Sequence, residues 1–312
     1  MNEGLLEQVR ARVRDPAVGL FGPDSITWRI ARQQVLGLAG GRALLLQTAH
    51  PFVAHAVARH SRYRDDPMGR GRRTFGAVNR VIFGDLETAL SAARRVGRMH
   101  AKVRGRLPQA VGGYPAGTRY DADQQSGLLW VHATLVESSV TAFEAFVRPL
   151  SMQEKDGYYE EMRLFAWLFG VQDETLPANW RAFEAYNQRM WNSDQLQVDP
   201  VAREMGQYLL RTPKAWSGPL ARLIAILTGG MLPPRLRAQY GVRFGAAEQI
   251  TYRAACPALR GVVAASPPRV RYAPTYFNAL WRLKGREGED PRARAAQKLF
   301  YGPLLRRVSG QA

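Results

Sequence analysis

Residues 85–108 read Asp85-Leu86-Glu87-Thr88-Ala89-Leu90-Ser91-Ala92-Ala93-Arg94-Arg95-Val96-Gly97-Arg98-Met99-His100-Ala101-Lys102-Val103-Arg104-Gly105-Arg106-Leu107-Pro108. An aspartate at the front is a helix N-cap and Gly105 and Pro108 are stop signals, so the spacing predicts a helix from Leu86 to about Arg104. Leu86, Leu90, Ala93, Gly97 and His100 recur at three- and four-residue steps and share one face. Arg94, Arg95 and Arg98 fall roughly 120–160° from His100 at about 100° per residue, which turns them to solvent.

The same period continues outward. A second long helix is predicted from about Gln124 to Val147, with Leu128, His132, Leu135, Val136, Ser139, Phe143 and Phe146 on its inner face. Ser151-Met152-Gln153-Glu154 is a capping box that opens a third helix ending near Gly170. Further helices are expected around 177–192, 200–211, 215–228, 233–240 and 275–284, between turns bearing Pro and Gly. Alternating runs and tight hairpin signals are scarce, and residues 105–117 read as a long loop. The fold class expected is all-α, one helical domain over residues 1–312.

Composition narrows the function. The chain of 312 residues is 46% hydrophobic and 22% charged, which suits a globular protein rather than a disordered one. Cys256 is the single cysteine, so no internal disulfide and no CxxC zinc or c-type haem site is available. The first residues lack a basic segment followed by an apolar run, so no signal peptide is expected and the protein is placed in the cytoplasm. The most apolar stretch, Val35 to Ala58, carries Arg42, Gln47, His50, Pro51 and His55, too polar a set for a bilayer span.

Histidine is scarce, with His50, His55, His60, His100 and His132 the full set of five. The spacing of five among His50, His55 and His60 scatters their rings around a helix, which excludes the i, i+4 pair of zinc proteases. No Glu-x-x-His pair exists for a di-iron bundle, and Gly-x-Ser-x-Gly, P-loop and GxGxxG motifs are absent. What remains is a helical protein with isolated histidines on apolar faces. Non-covalent haem needs little more: an axial histidine, an apolar slot and basic partners for its propionates. His100 suits the axial role, and Gly97, one turn earlier, lets a flat ring approach the backbone. The plainer alternative for either inner-face histidine is a hydrogen-bonded core residue, with Ser139 or backbone as partner for His132. A thiolate-haem role for Cys256-Pro257 lacks the glycine-bearing loop, so a semi-buried cysteine is expected there.

Four segments carry a resemblance: Gln47-Thr48-Ala49-His50-Pro51-Phe52-Val53-Ala54, Arg70-Gly71-Arg72-Arg73-Thr74, Arg95-Val96-Gly97-Arg98-Met99-His100 and Trp130-Val131-His132-Ala133-Thr134-Leu135-Val136. In this order and spacing they resemble the catalytic domain shared by rubber oxygenases and the MpaB-type oxygenase of mycophenolic acid biosynthesis. Asp156-Gly157-Tyr158-Tyr159 and Leu227-Thr228-Gly229-Gly230-Met231-Leu232-Pro233 extend the likeness over roughly residues 20–245, leaving a basic extension at 246–312.

The resemblance implies an all-α, partly globin-like core and a non-covalent haem b whose iron takes His100 as proximal ligand. It implies that Arg70, Arg73 and Thr74 line the distal pocket or the propionate edge; His132, on the next helix, is the chief rival of His100 as ligand and otherwise a residue that supports the cofactor. Arg73 stands where rubber oxygenases carry a distal lysine, and guanidinium does not ligate iron at ordinary pH. The distal side is then open, water-bound, or closed by a histidine of the 50–60 segment. The activity implied is oxygenation by dioxygen of an apolar, olefinic or lipid-like small molecule.

The charge, 44 Lys and Arg against 26 Asp and Glu for a net +18, raises a second reading, a non-catalytic basic binding protein. Residues 59–106 hold half of that net charge. The arginines are spread over several helix faces without any nucleic-acid-binding motif, so no nucleic acid is expected as partner. Arg62, Arg64 or Arg70 could instead pair with propionates. An anionic membrane surface remains open as a peripheral contact and would suit a lipid-like substrate.

Overall fold

A computed structural model describes residues 3–61, 67–210 and 218–300. The order begins α1 (Glu3–Arg12), α2 (Ile26–Ala31), a 3-10 turn at Gln34–Leu38, α3 (Ala39–Thr48), α4 (Pro51–His60), α5 (Pro67–Phe83) and α6 (Leu86–His100). A two-stranded antiparallel ribbon follows, β1 (Arg104–Arg106) with β2 (Arg119–Asp121). Then come α7 (Gln125–Phe146), α8 (Met152–Leu168), α9 (Trp180–Asn192), α10 (Pro200–Leu210), α11 (Pro219–Met231) and α12 (Pro234–Gln239). The C-terminal elements are α13 (Ala246–Ala265), α14 (Pro268–Arg271), α15 (Pro274–Leu283) and α16 (Pro291–Phe300). The all-α expectation holds.

Helix α7 is apolar nearly all round and forms the axis of the core, packed by α3, α8 and α13. Its Trp130 is fully buried and donates its indole N–H to the Leu46 carbonyl at 3.0 Å. Arg42 of α3 is also buried; its guanidinium donates to the Met231 carbonyl, to Ser138 Oγ at 2.7 Å and to the Glu137 carboxylate. That pair clamps α3, α7 and the end of α11. A buried arginine persists in such a core only when its donors are met like this.

Helices α5 and α6 form an antiparallel hairpin whose turn admits no side chain. A Cβ on Gly84 would lie 2.3 Å from the Arg80 carbonyl oxygen, and Gly19, at φ +99°, presses against the Gly84 carbonyl. Asp85 caps α6 by accepting from Thr88 N at 2.7 Å, and Ser151 with Glu154 forms the capping box of α8, both as expected.

Helix α6 ends at His100, four residues short of the predicted Arg104, and residues 104–106 are a strand. The cause is tertiary. Gly105 lies over Tyr120 so closely that a Cβ would sit 2.4 Å from the phenol oxygen, and Arg104, Gly105 and Arg106 pair with Asp121, Tyr120 and Arg119. The expected loop at 105–117 is therefore largely the connection of this ribbon.

Candidate cofactor and oxygenase site

The hydrophobic period of α6 delivers His100 and Gly97 to one wall of a cavity of about 160 Å³. Leu128 of α7 and Leu168 and Phe169 at the end of α8 form the opposite side, and Leu5 of α1 closes part of it. Asp123, exposed just before α7, marks the mouth. Burial pushes the His100 imidazole below its ordinary pKa, with the Asp123 carboxylate opposing, so the ring is neutral at pH 7. A neutral imidazole in an apolar recess is a metal-ligating form of histidine.

His132 lies one helical turn beyond Leu128, deeper in the core and 4% exposed. Neither of its ring nitrogens has a hydrogen-bond partner among the described residues. The hydroxyl suggested by the sequence is engaged elsewhere: Ser139 donates to the Leu135 carbonyl at 2.8 Å and bonds the Tyr158 hydroxyl. Desolvation lowers His132 to about 3. Its ring stacks on Phe165 at 6.2 Å, and Phe165 packs on Phe169 at 4.7 Å, which links the imidazole to the cavity wall. An unmet buried polar group costs about 1–3 kcal/mol, so a partner for this ring would be worth that much.

The histidines of the 50–60 segment are spoken for. His50 Nδ1 accepts from Phe52 N at 3.3 Å and caps α4, and its Nε2 faces the Tyr114 hydroxyl. His55 Nε2 meets Asp199 Oδ2 at 2.7 Å, and His60 Nε2 faces the Arg104 carbonyl at 3.3 Å. None of the three lines the His100 cavity, so closure of its far side by this segment finds no support.

Residues 70–74 belong to α5, which packs on α6. Arg73 and Thr74 are exposed and do not line the cavity. The side chain of Arg70 lies outside the described residues, as do Arg62 and Arg64. Cys256 is half-buried, its thiol paired with Tyr252 and raised in pKa by burial, as a plain semi-buried cysteine should be. Sequence reading missed Asp123 and the Phe165–Phe169 pair. Asp123 belongs to the turn between β2 and α7, where no periodicity points inward.

Among the described residues no three His, Cys, Asp or Glu side chains converge as a metal cluster, and no helix is long and apolar enough to cross a membrane. A haem iron with one protein ligand calls for no such cluster.

The profile of one family, described as ER-bound oxygenase mpaB/B′ and rubber oxygenase, catalytic domain, matches residues 28–261. That span is most of the chain, runs into α13 and includes His100 and His132, so the chain belongs to this oxygenase family. It is an oxidoreductase domain of the kind that joins dioxygen to a small molecule. No curated protein and no solved structure matches the chain.

Proposed function

We propose that the chain is a haem b-dependent oxygenase of an apolar, olefinic or lipid-like small molecule, with His100 as the axial ligand of the iron. The observation that carries this reading is the placement of His100 beside Gly97 on a cavity walled mainly by Leu5, Leu128, Leu168 and Phe169, backed by a buried imidazole with no hydrogen-bond partner among the described residues. The donor chemistry fits the group. The space does so only in part: about 160 Å³ is below the roughly 300–1,000 Å³ of typical ligand pockets, so admission of a macrocycle requires the α1 and α8 walls to yield.

When bound, the haem supplies the dioxygen-activating chemistry. The chain does the rest. His100 would hold the iron through a ring nitrogen, and the Asp123 carboxylate acts on the imidazole through its charge. Gly97 leaves room for close approach, while Leu128, Leu168 and Phe169 keep water out and favour an apolar substrate. Arg73 is an exposed arginine, a residue type suited to propionates, and Arg70 and Thr74 share its segment. The propionate edge is the role we assign to this segment, because an exposed position suits a charged partner.

A second arrangement, with His132 as axial ligand and His100 supporting it, is favoured by the two unpartnered nitrogens of His132. Hemin titration of the purified chain separates them. Wild type is expected to take up one equivalent with a Soret band, His100→Ala to lose it with helical content unchanged, and His132→Ala to retain haem with a shifted spectrum. Retention by His100→Ala with loss by His132→Ala exchanges the roles. A wild-type chain that ignores hemin overturns the haem reading.

A further inference from the structure

The turn that aims His100 into the cavity exposes a different chemistry outward. Met99 is 58% exposed, a bulky apolar side chain set in solvent between exposed Arg95, Arg98 and Lys102. The chain then enters the ribbon, whose inner face is Gly105 on buried Tyr120 and whose outer face carries Arg104, Arg106, Arg119 and Asp121. Arg106 and Arg119 are direct cross-strand partners, both exposed. Like charges in that position repel, and among the described residues no carboxylate is paired with either. Arg106 is anchored by one bond to the Gly117 carbonyl at 2.9 Å, and Arg104 by one to the Ala101 carbonyl at 3.0 Å. The carboxylates of this face are Asp121, opposite Arg104, and Asp123 at the cavity mouth.

We propose that the C-terminal turn of α6 and the outer face of the β1–β2 ribbon dock on an anionic lipid surface, with Met99 entering the headgroup layer and the arginines meeting phosphates. The charge pattern selects this partner. Among the described residues six cations against two carboxylates suit a dense anionic plane, and the exposed apolar side chain of Met99 in the adjoining turn gains by leaving water, which a phosphate backbone does not offer. Relief of the Arg106–Arg119 repulsion adds to the attraction. Docking by this end sets the mouth of the His100 cavity against the bilayer, where an apolar substrate dissolves. That consequence rests on the oxygenase reading above; the docking does not.

The test is vesicle sedimentation of the full chain without added hemin. Binding is expected to vesicles of phosphatidylcholine containing phosphatidylglycerol, to weaken as salt is raised, and to be slight for phosphatidylcholine alone. Arg98→Gln/Arg106→Gln/Arg119→Gln should weaken it on the order of a hundredfold, roughly fivefold for each cation removed. Met99→Ser should weaken it severalfold at unchanged charge. The matched triple Arg222→Gln/Arg243→Gln/Arg253→Gln, exposed on α11, on α13 and between α12 and α13, should leave binding near wild type. Equal losses in the two triples would mean diffuse attraction to a basic protein and overturn the assignment. So would absent binding to anionic vesicles, or tighter binding to duplex DNA abolished by the first triple. Because no cofactor is used, failure here leaves the haem reading standing, and failure of hemin uptake leaves this one standing.

Discussion

His55 and His132 are both buried imidazoles in one helical core, and their surroundings differ in kind. His55 on α4 reaches Asp199 at 2.7 Å, and Asp199 is itself fixed by the first turn of α10, accepting from Ala202 N at 2.8 Å. The pair is a finished structural joint between two helices. His132 on α7 has a stacked phenyl ring and no partner for either nitrogen. Evolution can satisfy a buried histidine with one carboxylate, as at His55. The other has no hydrogen-bond partner among the described residues and lies, through Phe165, against the wall of the His100 cavity.

The sharpest break in this comparison is on the satisfied side. Asp199 is 3% exposed at its side chain and is held below its ordinary pKa: burial raises it, but the bonds from His55 and from the α10 backbone prevail. His55→Ala leaves that carboxylate ionised in the core with only backbone donors, a loss of about 3–5 kcal/mol in denaturant unfolding. Hemin uptake per folded chain should not change. A His55→Ala chain as stable as wild type, or one that loses the Soret band while folded, would dissolve the distinction between the two regions.

A smaller effect is expected in acid. Burial lowers His50 from 6.5 to about 4. Its contribution is complete above the unfolded value, where neither state is protonated. As pH falls through 6.5 the unfolded chain takes up a proton that the fold refuses, and stability declines until the folded ring also titrates near 4. A shift of that size corresponds to at most about 3 kcal/mol. His50→Asn keeps an N-cap acceptor for Phe52 N while removing the titration, so its unfolding free energy should fall less steeply between neutral pH and about 4. Parallel slopes for the two proteins would show that His50 is not part of the acid limb. His132, pushed lower still, acts in the same sense.

What could be read from the chain alone follows the range of the interactions. The starts of α6 and α8 were legible because Asp85 and the Ser151–Glu154 box act within one turn. The face joining Gly97 to His100 was legible because a helix repeats locally, and the structure puts both on the cavity. The end of α6 was not, since it depends on Gly105 meeting Tyr120 across the ribbon. Helix α13 was missed too, because Pro257 interrupts its interior. The partner of His55 stands 144 residues away, beyond any spacing rule. Ser139, the hydroxyl offered as an alternative partner for His132, donates instead to the Leu135 carbonyl one turn back.

The finest test of the comparison is His132→Leu in the cofactor-free chain. If His132 were a structural joint like His55, removing it would cost stability. With no bond to break, the substitution instead removes two desolvated nitrogens and fills nearly the same space with carbon against Phe165. The expected result is a gain of about 1–2 kcal/mol in denaturant unfolding, the size of one unmet buried polar group less some packing mismatch. The sign is the readout. A stabilised chain whose hemin spectrum is altered means that the fold accepts a cost at this position for the sake of the cofactor. A loss of more than about 2 kcal/mol would mean that the ring has a partner after all, and His132 would then belong with His55 as part of the scaffold.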